Sequence, residues 1–268
     1  MVFSFEINAG AISAWSSPAR MRRVDVCTAT LIVFVLLDSP AVHAQGYGCP
    51  SDFSGQPEPP ATELVIARWH FGTNGAIRHC GWWHNYPSSD QNLNGFIEDA
   101  TGIDIEIASY KIVELGSEEV FDYPFAYVSE PGEMELTDIE ARNMREFVKR
   151  GGFILMDDFD GPWQLDNARS EVLRVFPEKR FLPIPTNHRV FSTQFELANL
   201  NGMAAHVPGG QIVYYGLYND QGELAIAAGH NNDLANFWDW YDTPRMPLKP
   251  AADAFRLGIN FVVWSMTH

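Results

Sequence analysis

From Glu63 onward, short apolar runs alternate with segments whose apolar residues recur every three to four positions. That rhythm predicts strands separated by amphipathic helices, and so a mostly parallel sheet covered on both faces. The first predicted strand is ELVIARWHF, Glu63 to Phe71. Ser89 is placed to cap a helix whose Leu93, Phe96, Ile97 and Ala100 share one face and which Gly102 ends. GIDIEIA, Gly102 to Ala108, alternates apolar and acidic residues as a strand with one exposed face does.

FAYVSE, Phe125 to Glu130, predicts a third strand, and Pro131-Gly132 turns the chain away from it. Thr137 and Glu140 have the spacing of a capping box, opening a helix through Arg150 with Ile139, Met144, Phe147 and Val148 inward. Gly151 and Gly152 stop that helix, FILMD from Phe153 is the next strand, and Asn167 to Phe176 reads as a helix. RVFSTQFEL, QIVYYGLY and ELAIAAG then read as strands, the last two joined as a hairpin through Asn219 to Gly222. AADAFRLGINFVVWSM, from Ala251, is a helix that packs back on the sheet. The expected fold is a three-layer α/β domain over 63–268 with a β-rich late segment, preceded by a Pro-rich leader over 45–62.

Residues 1–44 change the picture of where the domain works. Met21, Arg22 and Arg23 precede an apolar run from Val26 to Leu37, and Val42-His43-Ala44 supplies the small residues of a signal-peptidase site. The run is shorter than the roughly 20 residues that span a bilayer. We expect translation to start at Met21, cleavage after Ala44, and a periplasmic or secreted domain with no stable membrane span. Export leaves Cys49 and Cys80 as a pair in an oxidising compartment, where a disulfide stabilises by roughly 3 to 4 kcal/mol on the loop-entropy model. A lipid on Cys49 is the alternative, although Gly46-Tyr47-Gly48 does not form a lipobox. The formal charge of −16 argues against binding nucleic acid or anionic lipid, both of which need a basic surface.

Candidate chemistry is sparse. Asp157, Asp158 and Asp160 follow an apolar strand, where open α/β sheets place their ligands. Side chains adjacent in a strand point to opposite faces, so Asp157 and Asp158 are not expected to share a proton. The three acids either cap the following turn or offer oxygen ligands to magnesium or calcium. An EF-hand register would put Met156 and Asn167 at ligand positions, which excludes it. His79, Cys80 and His84 have no zinc-finger spacing, and no nucleophile elbow, Walker loop or dinucleotide fingerprint occurs, so no cofactor is expected. GWWHNYP, with Trp82, Trp83, His84, Asn85 and Tyr86, gathers aromatic faces and polar donors in one loop, as a sugar or peptide pocket does, or else fills the core with its tryptophans. Trp238, Trp240 and Tyr241 are expected to extend that surface or to mark a protein interface.

The succession ARWHFGTNG, GWWHNYPSSDQNLNGFIEDATGI, FAYVSEPGEMELTDIEARNMREFVKRGGFILMDDFDG and FRLGINFVVWSMTH resembles the bacterial family known as domain of unknown function 4159. The resemblance implies a class I glutamine amidotransferase-like, flavodoxin-like scaffold, and no activity. Amidotransferases of that fold carry a cysteine nucleophile in an elbow after a strand, with a histidine and an acid downstream. Here the comparable elbow is expected at Asp157 to Gly161, which has no cysteine, so the glutaminase reading is removed. His188 in TNHRVF is similar to a family segment in which proline follows the histidine, but Arg189 stands there.

Three functions remain open. The first is an exported, noncatalytic module that binds a small molecule or an envelope protein through Trp83, His84, Asn85, Tyr86, Asp157, Asp158, Asp160 and His188. The second is a hydrolase of carbohydrates or amides using Asp158 as base with His84 or His188. The third is a structural envelope component.

Overall fold

The computed structural model describes Pro50 and residues 52–268, apart from 77–79, 198, 201–202, 204, 206, 208–209 and 245. The expected signal segment, Cys49 and His79 lie outside the described residues. In chain order the regular elements are β1 (Ile66–His70), α1 (Ser88–Ala100), β2 (Tyr110–Glu114), β3 (Phe125–Ser129), α2 (Asp138–Lys149), β4 (Phe153–Phe159) and α3 (Gly161–Val175). They continue with β5 (Leu182–Pro183), β6 (Val213–Tyr218), β7 (Leu224–His230), α4 (Leu234–Asp239) and α5 (Leu248–Thr267), with short 3-10 turns between.

The strands form one sheet in the order β2-β1-β3-β4-β7-β6-β5. β2, β1, β3, β4 and β7 run parallel, and β6 and β5 close the far edge antiparallel. Alternating side chains feed two cores. Phe125, Tyr127, Phe153 and Leu155 pack with α1, α4 and α5, while Ala126, Val128, Ile154 and Met156 pack with α2 and α3. All seven β4 residues are buried, which is why that strand reads as a continuous apolar run until its acids. The domain is thus mixed α/β in three layers.

Most expected elements form, and the departures have local causes. GIDIEIA is not a strand. β2 is the next segment, YKIVE, whose Tyr110 pairs with Ile66, and the buried stem of Lys111 ends in an ammonium held by Glu58 and Glu119. Alternating acids along 102–108 marked exposure but no pairing partner: Asp104 O takes the Glu63 and Leu64 amides, and Ile107 lies exposed on a turn. RVFSTQFEL is not a strand either. Arg189–Ser192 is a 3-10 turn, and Asn260 of α5 satisfies the amides of Gln194 and Phe195 through its Oδ1.

Helix α1 begins at Ser88, and Ser89 caps nothing: its hydroxyl donates to Asp90 and accepts from Arg68. The Thr137–Glu140 capping box forms as expected, with Met144, Phe147 and Val148 buried beneath it. Ile139, expected inward, is 47% exposed because it sits in the first turn, above the loop at Gly116. Helix α3 starts at Gly161, earlier than Asn167, because Asp160 occupies its N-cap position and Pro162 fits the first turn. No described helix is long and apolar enough to cross a membrane.

Candidate functional site at the carboxyl edge of the sheet

Parallel strands deliver their carboxyl ends to one edge, and at or just past the ends of β3, β4 and β7 stand acids and amides: Glu130, Asp157 and Asp158, and Asn231 to Asp233. β3 ends at Ser129, and Glu130 turns the chain in a left-handed conformation, φ 55°. In β4 the register to β7 slips between Met156 and Phe159, and Asp158 in that bulge also has a positive φ of 63°. The bulge lets the two acids part. The Asp157 carboxylate faces inward, its Oδ2 accepting from the Tyr127 hydroxyl and from the amides of Leu234 and Ala235. Past β7, Asn231 has a φ of 61°, the Asn232 carbonyl takes the Asp158 amide, and Asp233 caps α4 by accepting from the Asn236 amide. Left-handed backbone in a residue with a side chain costs of order 1 kcal/mol and gathers where function requires it.

The GWWHNYP loop arches over this edge, and one buried cation holds it there. Arg68 of β1 is 1% exposed and forks onto Asp90, with Nη2 to Oδ2 at 2.7 Å and Nε to Oδ1 at 3.3 Å. Its Nη1 donates to the carbonyls of Trp82 (3.0 Å) and His84 (3.1 Å), and its guanidinium lies 4.6 Å from the centre of the Tyr127 ring. A guanidinium with its donors spent on fixed acceptors is a rigid strut. Asn85, at φ 59°, ties the other side of the loop to α4 by donating to Asn236 and Asp239. Gly81 is required by close approach, since a Cβ there would lie 2.5 Å from Glu130 Cγ.

His84 is thereby set over the acids. Its Nδ1 is 3.2 Å from Asp158 Oδ2 and 3.4 Å from Glu130 Oε1, and the three ligand-capable atoms all lie within 4.8 Å of one another. The histidine side chain is 38% exposed and both carboxylates are buried, so the cluster opens to solvent on the histidine side. Burial, and then the charge of Asp158, push the Glu130 carboxyl up to about 9. The same two causes raise Asp157 to about 7, against the hydrogen bonds from Tyr127, Ala235 and Leu234, and lift Asp233 well above the usual carboxylate range.

The candidate residues separate cleanly. Asp158 and His84 meet in the cluster; Asp157 is anchored in the α4 side of the core; Asp160 stands at the start of α3. Trp82 is core, packed on Phe53 and His70, whereas Trp83 is half-buried and packed at a tilt against Tyr86. His188 is not at this edge. It packs against Tyr218 and Trp264, and Trp264 bonds the carbonyl of Leu224, where β7 begins, so His188 belongs to the opposite end of the sheet from Asp158. Trp238, expected on the surface, is 1% exposed because α4 lies against α1 and α5; Trp240 and Tyr241 stay partly open. Glu130, Arg68 and Asp233 were not read as functional from sequence. A glutamate between the mostly apolar FAYVS and Pro-Gly, and an arginine within ELVIARWHF, were the signals for the first two.

The fold and this edge define a class: an α/β domain whose parallel strands present a histidine and two carboxylates at their carboxyl ends. The chain belongs to the domain of unknown function 4159 family, whose model matches residues 70–266. Among curated proteins no sequence matches it.

Proposed function

We propose that the domain is an exported binding module on an amidotransferase-like scaffold, with its ligand seated at the carboxyl edge of the sheet against His84, Glu130 and Asp158. One observation carries this reading: a half-open histidine is held rigidly over buried carboxylates, and the two left-handed elbows that supply them, at Glu130 and Asp158, hold no cysteine, while the serine beside the first, Ser129, is wholly buried. A scaffold of this kind without its nucleophile retains the place for a ligand and loses the covalent step. Periplasmic or secreted location and a Cys49–Cys80 disulfide belong to the same proposal, and Trp83 and Tyr86 give the rim an aromatic face.

Thermal-shift screening of the purified chain against oligosaccharides, peptides and amino acids tests it. A ligand that raises Tm for the parent and not for His84→Ala is the expected result. A chain that responds to no compound and copurifies with none contradicts the proposal.

A second reading is hydrolysis, favoured by the 3.2 Å contact between His84 and Asp158, which lies at the outer limit of hydrogen-bonding reach. In it Asp158 orients His84, and His84 withdraws the proton from water. Turnover of a glycoside or amide that disappears in both His84→Gln and Asp158→Asn would establish it.

A further inference from the structure

We propose that His84 Nδ1, Glu130 Oε1 and Asp158 Oδ2 are three ligands of a divalent first-row transition-metal ion, with the remaining coordination positions open toward solvent. The inference goes beyond the binding-module reading and does not depend on it.

Spacing is the first argument. Ligand atoms about 2.1 Å from a common ion stand roughly 3.0 to 3.4 Å apart, the lower figure for right-angle and the upper for tetrahedral coordination. Nδ1 of His84 is 3.2 Å from Asp158 and 3.4 Å from Glu130, and all three atoms fall within 4.8 Å. A charge-assisted hydrogen bond between nitrogen and carboxylate closes to about 2.7 to 2.9 Å. The same chain supplies that comparison: His70 Nδ1 lies 2.7 Å from Glu114 Oε2 on an open strand end. His84 faces two carboxylates and closes fully on neither, an arrangement that suits an ion between them.

The surroundings supply the second argument. Ligands must be held in place before an ion arrives if the site is to bind tightly. Arg68 fixes the His84 carbonyl, Gly81 permits the loop to lie on the Glu130 stem, and the Asp158 amide is tied to Asn232. Beside Asp158, the fully buried Asp157 keeps one carboxylate oxygen, Oδ1, without a hydrogen-bond partner, and Ser129, next to Glu130, has a buried hydroxyl in the same condition. Neither atom is a ligand, but an unpartnered carboxylate oxygen one residue along the chain adds negative potential behind Asp158.

The donor set selects the ion. One imidazole nitrogen with two carboxylate oxygens suits zinc, manganese or iron(II), whereas calcium takes six to eight oxygens and magnesium prefers carboxylate and water. Three protein ligands leave room for water or a ligand group, and the 38% exposure of His84 places that opening toward solvent.

The test uses the untagged full chain, stripped with EDTA, dialysed and titrated calorimetrically with Zn²⁺ and Mn²⁺, with Co²⁺ absorption reporting coordination. One ion per chain is expected, weakened at least ~10-fold in each of His84→Gln, Glu130→Gln and Asp158→Asn. His70→Gln, which removes a histidine–carboxylate pair outside the cluster, should leave binding unchanged. The three variants are near-isosteric, and circular dichroism of the metal-free forms verifies that each is folded. The proposal is overturned if the parent takes up none of these ions at about 1 mM, or if binding survives all three substitutions, as it would on dispersed surface acids. Ion uptake without any organic ligand would leave this site standing and remove only the binding-module reading.

Discussion

His84 Nδ1 and Asp158 Oδ2, 74 residues apart in the chain, meet at 3.2 Å above the end of β4. Neither residue reaches the other by its own element alone. β4 must bulge to turn Asp158 outward, and Arg68 must hold the His84 carbonyl. The contact is therefore a product of the sheet order, which sets β1 and β4 on either side of β3.

Arg68→Met should destabilise the domain by about 3 to 5 kcal/mol in urea denaturation, because Asp90 remains buried and loses its partner. Arg68→Met with Asp90→Leu should recover a large part of that loss. Equal stability of the single and double variants would show that the pair does not act as a unit.

Gly81→Ala tests the packing of the loop on Glu130. The added methyl lies 2.5 to 2.6 Å from the Glu130 Cγ and Cβ atoms, which cannot swing away as a chain end can. Ion affinity should fall about 10-fold or more while the far-UV spectrum stays that of the parent; unchanged affinity would mean that the two segments move apart freely.

Leu155→Ala removes a fully buried side chain from the middle of the sheet and should cost about 2 to 5 kcal/mol. Thr137→Ala removes the cap of α2 and should cost about 1 kcal/mol. Reversal of that ranking in equilibrium denaturation would contradict the layer arrangement.

His188 gives a pH signature separate from the site. Burial, then the charge of His268, holds its pKa below the ordinary 6.5. The unfolded chain takes up a proton as pH falls through 6.5 and the folded one does not, so this contribution is complete above 6.5 and is lost as pH falls toward the folded value. His188→Gln should flatten the acid side of the stability curve between pH 7 and 5. An unchanged slope would remove His188 as its source.

Peptide mapping of the chain purified without reductant should recover Cys49 joined to Cys80, and two alkylated thiols in that sample would exclude the bond.

The amino-acid sequence by itself determined the layered α/β class, the family, the Thr137–Glu140 cap and the buried β4, because each follows from the order of neighbouring residues: period, spacing and punctuation. It also marked the carboxyl edge, since Asp157 and Asp158 close an apolar run and GWWHNYP follows the β1 segment. It did not reveal that Glu130 joins them, that His84 and not His188 is the partner, or that YKIVE displaces GIDIEIA as the edge strand. Those depended on sheet order, on one bulge and on the bonds of one buried arginine, all of which are contacts between residues far apart in the chain. Periodicity reports which face of an element is wet, and only the assembled sheet decides what stands opposite it.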